Sequence, residues 1–253
     1  LRTPPRAHPH PMTSPEPRSV DAGRGLEWWA RSWALFMKAP GMWVVLGLVV
    51  LIVFLVLGVI PLLGTVATSL LLPVFLGHWM LAARKVEGGG TLEINDLFTL
   101  FGGVGHQPTL VALLVLGGLL AATTIVMSLV LGMFGAGAVI GMLVGGAMHS
   151  GVGVLAAAGA GLMSLLVLLV AATLVGMAFW FAPALVVFHQ TAPLDAVKAS
   201  FAASLKNIAP FLVYSAIGLV AAIVASIPAG LGWLVLAPLS GLHVYVSTKD
   251  VFP

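Results

Sequence analysis

Apolar residues fill runs longer than the roughly 18 positions that suggest a membrane-crossing helix, and between these runs polar and apolar positions recur with a helical period. Six runs predict six spans, at about 42–60, 62–83, 109–131, 155–188, 211–227 and 231–247. The stretch 132–161 is apolar but dominated by Gly and Ala. It reads as an extension of the third and fourth helices, a re-entrant hairpin, or a short seventh helix lying flat. The runs are apolar on every face, which excludes the alternating strands of a β-barrel. The expected fold class is all-α: a polytopic transmembrane helical bundle of about six spans in three hairpins, each preceded by an amphipathic helix at the cytoplasmic surface.

Those amphipathic segments share a design. From Pro193, residues Leu194, Val197, Phe201, Leu205 and Ile208 form an apolar stripe, with Asp195, Lys198 and Lys206 off it. Asp195 falls in the first turn, where a negative charge suits the helix dipole. Near the N-terminus, Leu26, Trp29, Trp33 and Phe36 form the stripe, and Arg24, Glu27, Arg31 and Lys38 the wet face. Between them, Ile94, Leu97, Phe98 and Phe101 are the stripe, and Glu93 and Asp96 the wet face. Pro40, Pro108 and Pro210 follow the three segments. Helices of this kind lie in the membrane interface, which makes Trp29, Trp33, Phe36, Phe98, Phe101 and Phe201 the expected membrane-interface residues.

The hairpins repeat as well. Each second helix carries a proline, Pro73, Pro183 or Pro238, and then a histidine, His78, His189 or His243. Arg84 follows His78 by six positions, and Lys249 follows His243 by six. The chain therefore reads as three copies of one unit in the same orientation: interfacial helix, proline, span, outer turn, proline-kinked span. The competing reading is that any hairpin needs similar residues at its interfaces.

Composition narrows this further. The chain is 60% hydrophobic and 8% charged, against about 25% charged in soluble domains. Its mean hydropathy is +1.13. It has no cysteine, so disulfides and thiolate chemistry are excluded. Residues 1–23, rich in Pro, Arg and Ser, are expected to be a disordered cytoplasmic tail. Met12 is a candidate start, which would make residues 1–11 a start-site artefact. Residues 24–250 are the transmembrane domain. In the six-span arrangement all 11 Lys and Arg and all 8 Asp and Glu fall on one side. The positive-inside rule then predicts both termini in the cytoplasm.

The fragments "EWWARSWALFMKAPGMW", "FWFAPALVVF", "PLDAVKASFAASLKN" and "PFLVY" resemble a family of uncharacterised proteobacterial inner-membrane proteins with six spans. More distantly, the layout is similar to the membrane domain that precedes some glycerophosphodiester phosphodiesterases. The resemblance covers about residues 24–250, fits the Gly/Ala-rich stretch poorly, and implies a bacterial inner-membrane location without implying an activity.

Candidate chemistry is sparse. No acidic or basic residue lies inside a span, which disfavours ion or proton coupling. No buried Asp at all is expected, and Ser150 and His149 are helix neighbours that do not face each other. Met142, Met148 and His149 have the soft donors of a Cu(I) site, but Met also fills gaps in Gly-rich helices. Gly137, Gly141 and Gly145 recur every four residues, a helix-packing or oligomerisation pattern. If three units surround a pseudo-threefold axis, His78, His189 and His243 are candidate metal ligands. Otherwise each imidazole sits at headgroup level, hydrogen-bonded to a carbonyl or lipid. No cofactor, catalytic residue or nucleic-acid partner is expected. The expected partners are membrane lipid and a membrane protein, either another protein or a second copy. The reading is a non-enzymatic scaffold or accessory protein; the alternative is a transporter or channel for a neutral or amphiphilic solute. A polar cavity lined by Thr123, Thr124, Ser128 and Thr173 would favour transport.

Overall fold

A computed structural model describes residues 15–102, 104–147 and 151–253. Among these the chain is all helix and loop. It comprises α1 (Arg24–Phe36), α2 (Pro40–Gly58), α3 (Leu63–Glu87), two 3-10 segments (Ile94–Phe101 and Val104–His106), α4 (Gln107–Ala147), α5 (Gly151–Phe179), α6 (Ala182–His189), α7 (Pro193–Lys206), α8 (Ile208–Ser226) and α9 (Trp233–Val251).

Five stretches are long and apolar enough to cross a membrane: α2, α3, 107–144 of α4, 151–189 through α5 and α6, and α8. The sixth expected span is the helix α9, but it carries His243, Lys249 and Asp250 and is not among them. Prolines open α2 and α7 at their first turns, where the missing N–H is lost without penalty. Pro73 and Pro238 lie inside α3 and α9. Pro183 does more than kink its span, because the helix breaks after Phe179 and restarts as α6.

Of the readings of 132–161, helix extension is the one observed. The 41 residues of α4 span about 61 Å, twice a hydrocarbon core of about 30 Å. Residues 148–150, with His149, lie outside the described residues.

The short segments pack on the hairpins in a cycle. α1 lies on α8 and α9, the 3-10 segment Ile94–Phe101 on α3, and α7 on α5 and α6. Each is thus docked on the hairpin before it, with the third followed by the first. The second helices meet one another, α3 with α6 and α9, and α6 with α9. Burial follows this plan: half of the apolar window of α3 is buried, but 11% of those of α2 and α8. In the stretch 151–189 the apolar window is 0% buried, and burial there falls on α6, so the inner packing is made by α3, α6 and α9 rather than by α5.

Two glycines permit close approaches between helices that are not neighbours in a tight turn. A Cβ on Gly25 would lie 2.2 Å from the Pro210 carbonyl oxygen, and one on Gly117 would lie 2.4 Å from that of Leu70. These are the α1–α8 and α4–α3 contacts.

Candidate functional site

The polar chemistry gathers at one end of the bundle. Against the expectation of no buried Asp, Asp250 at the end of α9 is buried and receives Arg24 Nη2 at 3.1 Å, Arg31 Nη1 at 2.8 Å and Trp28 Nε1 at 2.9 Å. Two guanidinium donors and an indole N–H neutralise and saturate a carboxylate that would not otherwise tolerate burial. The Arg18 side chain donates to the Asp250 carbonyl, and its backbone N–H to Val251 O at 3.0 Å. Residues 17–20, placed with the disordered tail by composition, thus form an ordered strap. Asn207 holds it from the other side, accepting from Val20 N at 2.8 Å and donating to Arg18 O at 3.0 Å. Lys206 Nζ reaches Pro17 O at 2.8 Å. Local composition could not announce this strap, because its partners lie about 190 and 230 positions away in the sequence.

A second cluster surrounds the meeting point of α3, α6 and α9. Tyr245 donates to Glu87 Oε2 at 2.6 Å, and Lys249 Nζ lies 2.7 Å from the same oxygen. Lys38 Nζ caps the end of α3 through Val86 O and Glu87 O at 3.4 and 3.3 Å. Lys85 binds Asp96 at 2.9 Å. Arg84 lies over the Phe188 ring, 5.1 Å from its centroid. Arg84, Glu87, Phe188, His189, Tyr245, Thr248, Lys249 and Phe252 enclose a cavity of about 310 Å³.

The three histidines are not brought to one point, and among the described residues no group of three or more His, Asp or Glu could hold a metal. His78 spends both ring nitrogens on the backbone: Nδ1 is 2.8 Å from Val74 O, and Nε2 accepts the Leu100 N–H at 3.1 Å. Its ring stacks on Phe101 at 5.0 Å. His243 meets the Tyr214 hydroxyl at 3.2 Å and the Trp29 ring at 4.2 Å. His78 and His243 are thus pegs on which an aromatic of the next short segment docks. His189 instead faces Phe252 and borders the charged cavity.

The expected interface residues divide. Trp33, Phe98 and Phe101 are about half exposed, and Phe201 is partly so. Trp29 is half-buried against Tyr214, to whose carbonyl it donates at 3.1 Å. Phe36 is buried, so its assignment to the interface is corrected. The protein-facing side of α1 is Trp28, Ser32, Leu35 and Phe36, and Leu26, Trp33 and Met37 face outward. On α7 the large stripe is the outer one. Small residues, Ala196, Ser200, Ala203 and Ser204, face the bundle, where Ser200 and Ser204 donate to Met177 O at 2.9 and 3.1 Å.

In the Gly-rich hairpin, a Cβ on Gly141 would lie 3.6 Å from that of Ala157 on α5, whereas Gly137 faces nothing within 4 Å. The surroundings of Gly145 lie outside the described residues. Of Thr123, Thr124, Ser128 and Thr173, Thr173 borders a mostly apolar cavity between α5 and α8. Each of the four donates at 2.8 Å to a carbonyl four residues earlier in its own helix. Two cavities between the long helices are mostly apolar. One of about 260 Å³ lies between α2, α3 and α9 and is bordered by Trp79 and Pro238, and one of about 310 Å³ lies between α5 and α8.

A curated relative, a probable inner membrane protein of Burkholderia thailandensis, is 28% identical over 196 residues, covering 77% of this chain and 72% of the relative. It agrees with the inner-membrane resemblance and lends nothing to the phosphodiesterase one. No family model matches the chain, and no solved structure matches it.

Proposed function

We propose that this chain is a non-enzymatic, multi-pass scaffold or accessory protein of a bacterial inner membrane, with both termini cytoplasmic. One observation carries the reading: the buried ionic chemistry is tied into structural ion pairs at one end, and the span hydroxyls are satisfied within their own helices. Asp250 is held by Arg24, Arg31 and Trp28, and Thr123, Thr124, Ser128 and Thr173 bond their own helices. Such a bundle offers a substrate little polar surface, and it presents to its surroundings three short segments with outward aromatic or large aliphatic side chains. Trp33, Phe98, Phe101 and Leu205 would lie in the headgroup layer. The partner would be lipid, another membrane protein or a second copy.

The absence of cysteine makes labelling a clean test. Single cysteines at Leu63 and Gly230 should react with an impermeant thiol reagent added to intact cells. Those at Gly90 and Ala202 should react only after the membrane is opened. Labelling of Gly90 or Ala202 in intact cells refutes the orientation.

Transport of a neutral or amphiphilic solute is the second reading. It is favoured by the apolar cavity between α2, α3 and α9, where the Trp79 indole N–H has no partner among the described residues. Cysteines at Leu51, Thr173 and Ser240 decide between the two. Silence toward a small water-soluble thiol reagent keeps the scaffold reading, and reaction at all three replaces it with a wetted route.

A further inference from the structure

The basic side chains of the ordered bundle are nearly all committed. Arg24 and Arg31 hold Asp250, Lys85 holds Asp96, Lys249 holds Glu87, Lys198 lies near Asp195, and Lys38 and Lys206 hold carbonyls. Arg84 is the exception among the described residues. It is exposed, it pairs with no carboxylate, and it lies over the Phe188 ring with Tyr245 also within its electrostatic reach. That ring lies 5.9 Å from Tyr245, and Lys249 sits over Tyr245 at 5.6 Å. Two cations are therefore carried side by side on two aromatic rings at the junction of α3, α6 and α9. With Glu87, the only carboxylate lining the cavity, they leave one net positive charge. The cavity's volume, about 310 Å³, is at the small end of ligand sites. Arg84 also borders a neighbouring space of about 420 Å³ with Lys85, Asp96 and His106, so its guanidinium stands at a rim between two openings.

We infer that Arg84, lying over the Phe188 ring at the junction of α3, α6 and α9, anchors a binding site for a phosphate monoanion. The chemistry is specific in three ways. A planar guanidinium offers paired N–H donors that match two phosphate oxygens. The Phe188 ring, 5.1 Å from Arg84 Cζ, supports the guanidinium without using its N–H donors. A singly charged phosphate neutralises the net positive charge of the cavity, which Lys249, paired with Glu87, also lines. Arg84 ends an apolar span, Leu63–Glu87, so a phospholipid headgroup and a free phosphate can both supply the group. The site does not depend on the scaffold reading, since it would serve a transporter equally.

The test uses the full chain in a neutral detergent. The probes are a short-chain phosphatidylglycerol, the matching diacylglycerol without phosphate, and inorganic phosphate, each read by the shift in melting temperature. Phosphatidylglycerol should stabilise the wild type and diacylglycerol should not. Arg84→Gln should weaken apparent affinity by about 10- to 100-fold, the equivalent of losing a charged hydrogen-bonding pair. Arg84→Lys should retain part of it, and Lys198→Gln on the exposed face of α7 should be unchanged. A response to phosphatidylglycerol alone identifies the headgroup as the source, and a response to inorganic phosphate as well identifies free phosphate. Three results overturn the site: no preference of the wild type for either phosphate probe over diacylglycerol, full retention in Arg84→Gln, or an equal loss in Lys198→Gln. Should Arg84→Gln fail to fold, the wild-type discrimination and Arg84→Lys still decide.

Discussion

Replacing Asp250 should loosen the whole charged end of the bundle. Its side chain is 5% exposed and is shared by Arg24 and Arg31, whose side chains are 34% and 39% exposed. Removing one partner of a fully buried ion pair costs about 3–5 kcal/mol. Here both arginines can turn toward water, which reduces that figure. The Trp28 N–H cannot, because Trp28 is fully buried, and an unsatisfied buried donor costs about 1–3 kcal/mol. Asp250→Ala should therefore destabilise by about 2–3 kcal/mol. Asp250→Asn, which keeps an acceptor for Trp28, should lose about 1–2 kcal/mol. Glu27 pairs with Arg24 in the open, so Glu27→Ala should lose under about 0.5 kcal/mol. The assay is a thermal scan in mild detergent followed by tryptophan fluorescence. Asp250→Ala should lower the midpoint by about 5–10 °C. A drop no larger than that of Glu27→Ala, or a larger drop for Asp250→Asn than for Asp250→Ala, would refute the account of a saturated buried carboxylate.

Other perturbations isolate single contacts. Gly25→Ala drives a methyl group into the Pro210 carbonyl at 2.2 Å and should destabilise by about 1–3 kcal/mol in the same scan. Gly41→Ala meets nothing within 4 Å and should be neutral or stabilising by up to about 1 kcal/mol; similar losses in both would mean that α1 does not approach α8 so closely. His78→Phe removes the acceptor of the Leu100 N–H, so amide exchange at Leu100 should quicken by roughly tenfold, the worth of one hydrogen bond. His189→Phe should leave that exchange alone, and equal protection of Leu100 in His78→Phe would show that the peg carries no load.

Five of the six expected spans were legible because hydropathy is a local property; α9 is a helix but not among the five. Twenty apolar residues need no distant partner to announce a helix, and α2 and α8 lie within three residues of their sequence-based bounds. The order of units was legible for the same reason: Pro40 and Pro193 mark helix starts wherever the chain goes afterwards. What α1 buries was not legible. An apolar stripe on a short helix fits lipid and protein equally well, so the stripe alone does not say which it faces. The reading through Trp29 and Trp33 chose the outer side, while the bundle takes Trp28, Ser32 and Leu35, one residue or about 100° around the helix. On α7 the protein-facing positions are small and partly polar, Ala196, Ser200, Ala203 and Ser204, because close approach to α5 and α6 selects for size before hydrophobicity. The histidines illustrate the same limit. Their spacing from the prolines suggested common work, and for His78 and His243 the work is docking the next short segment, at 5.0 Å on Phe101 and 4.2 Å on Trp29. His189 lies apart, and the cavity it borders joins Arg84 to Lys249 across 165 positions of sequence. Only the cyclic packing of α3, α6 and α9 decides that meeting, since no local pattern records how three helices from three units converge.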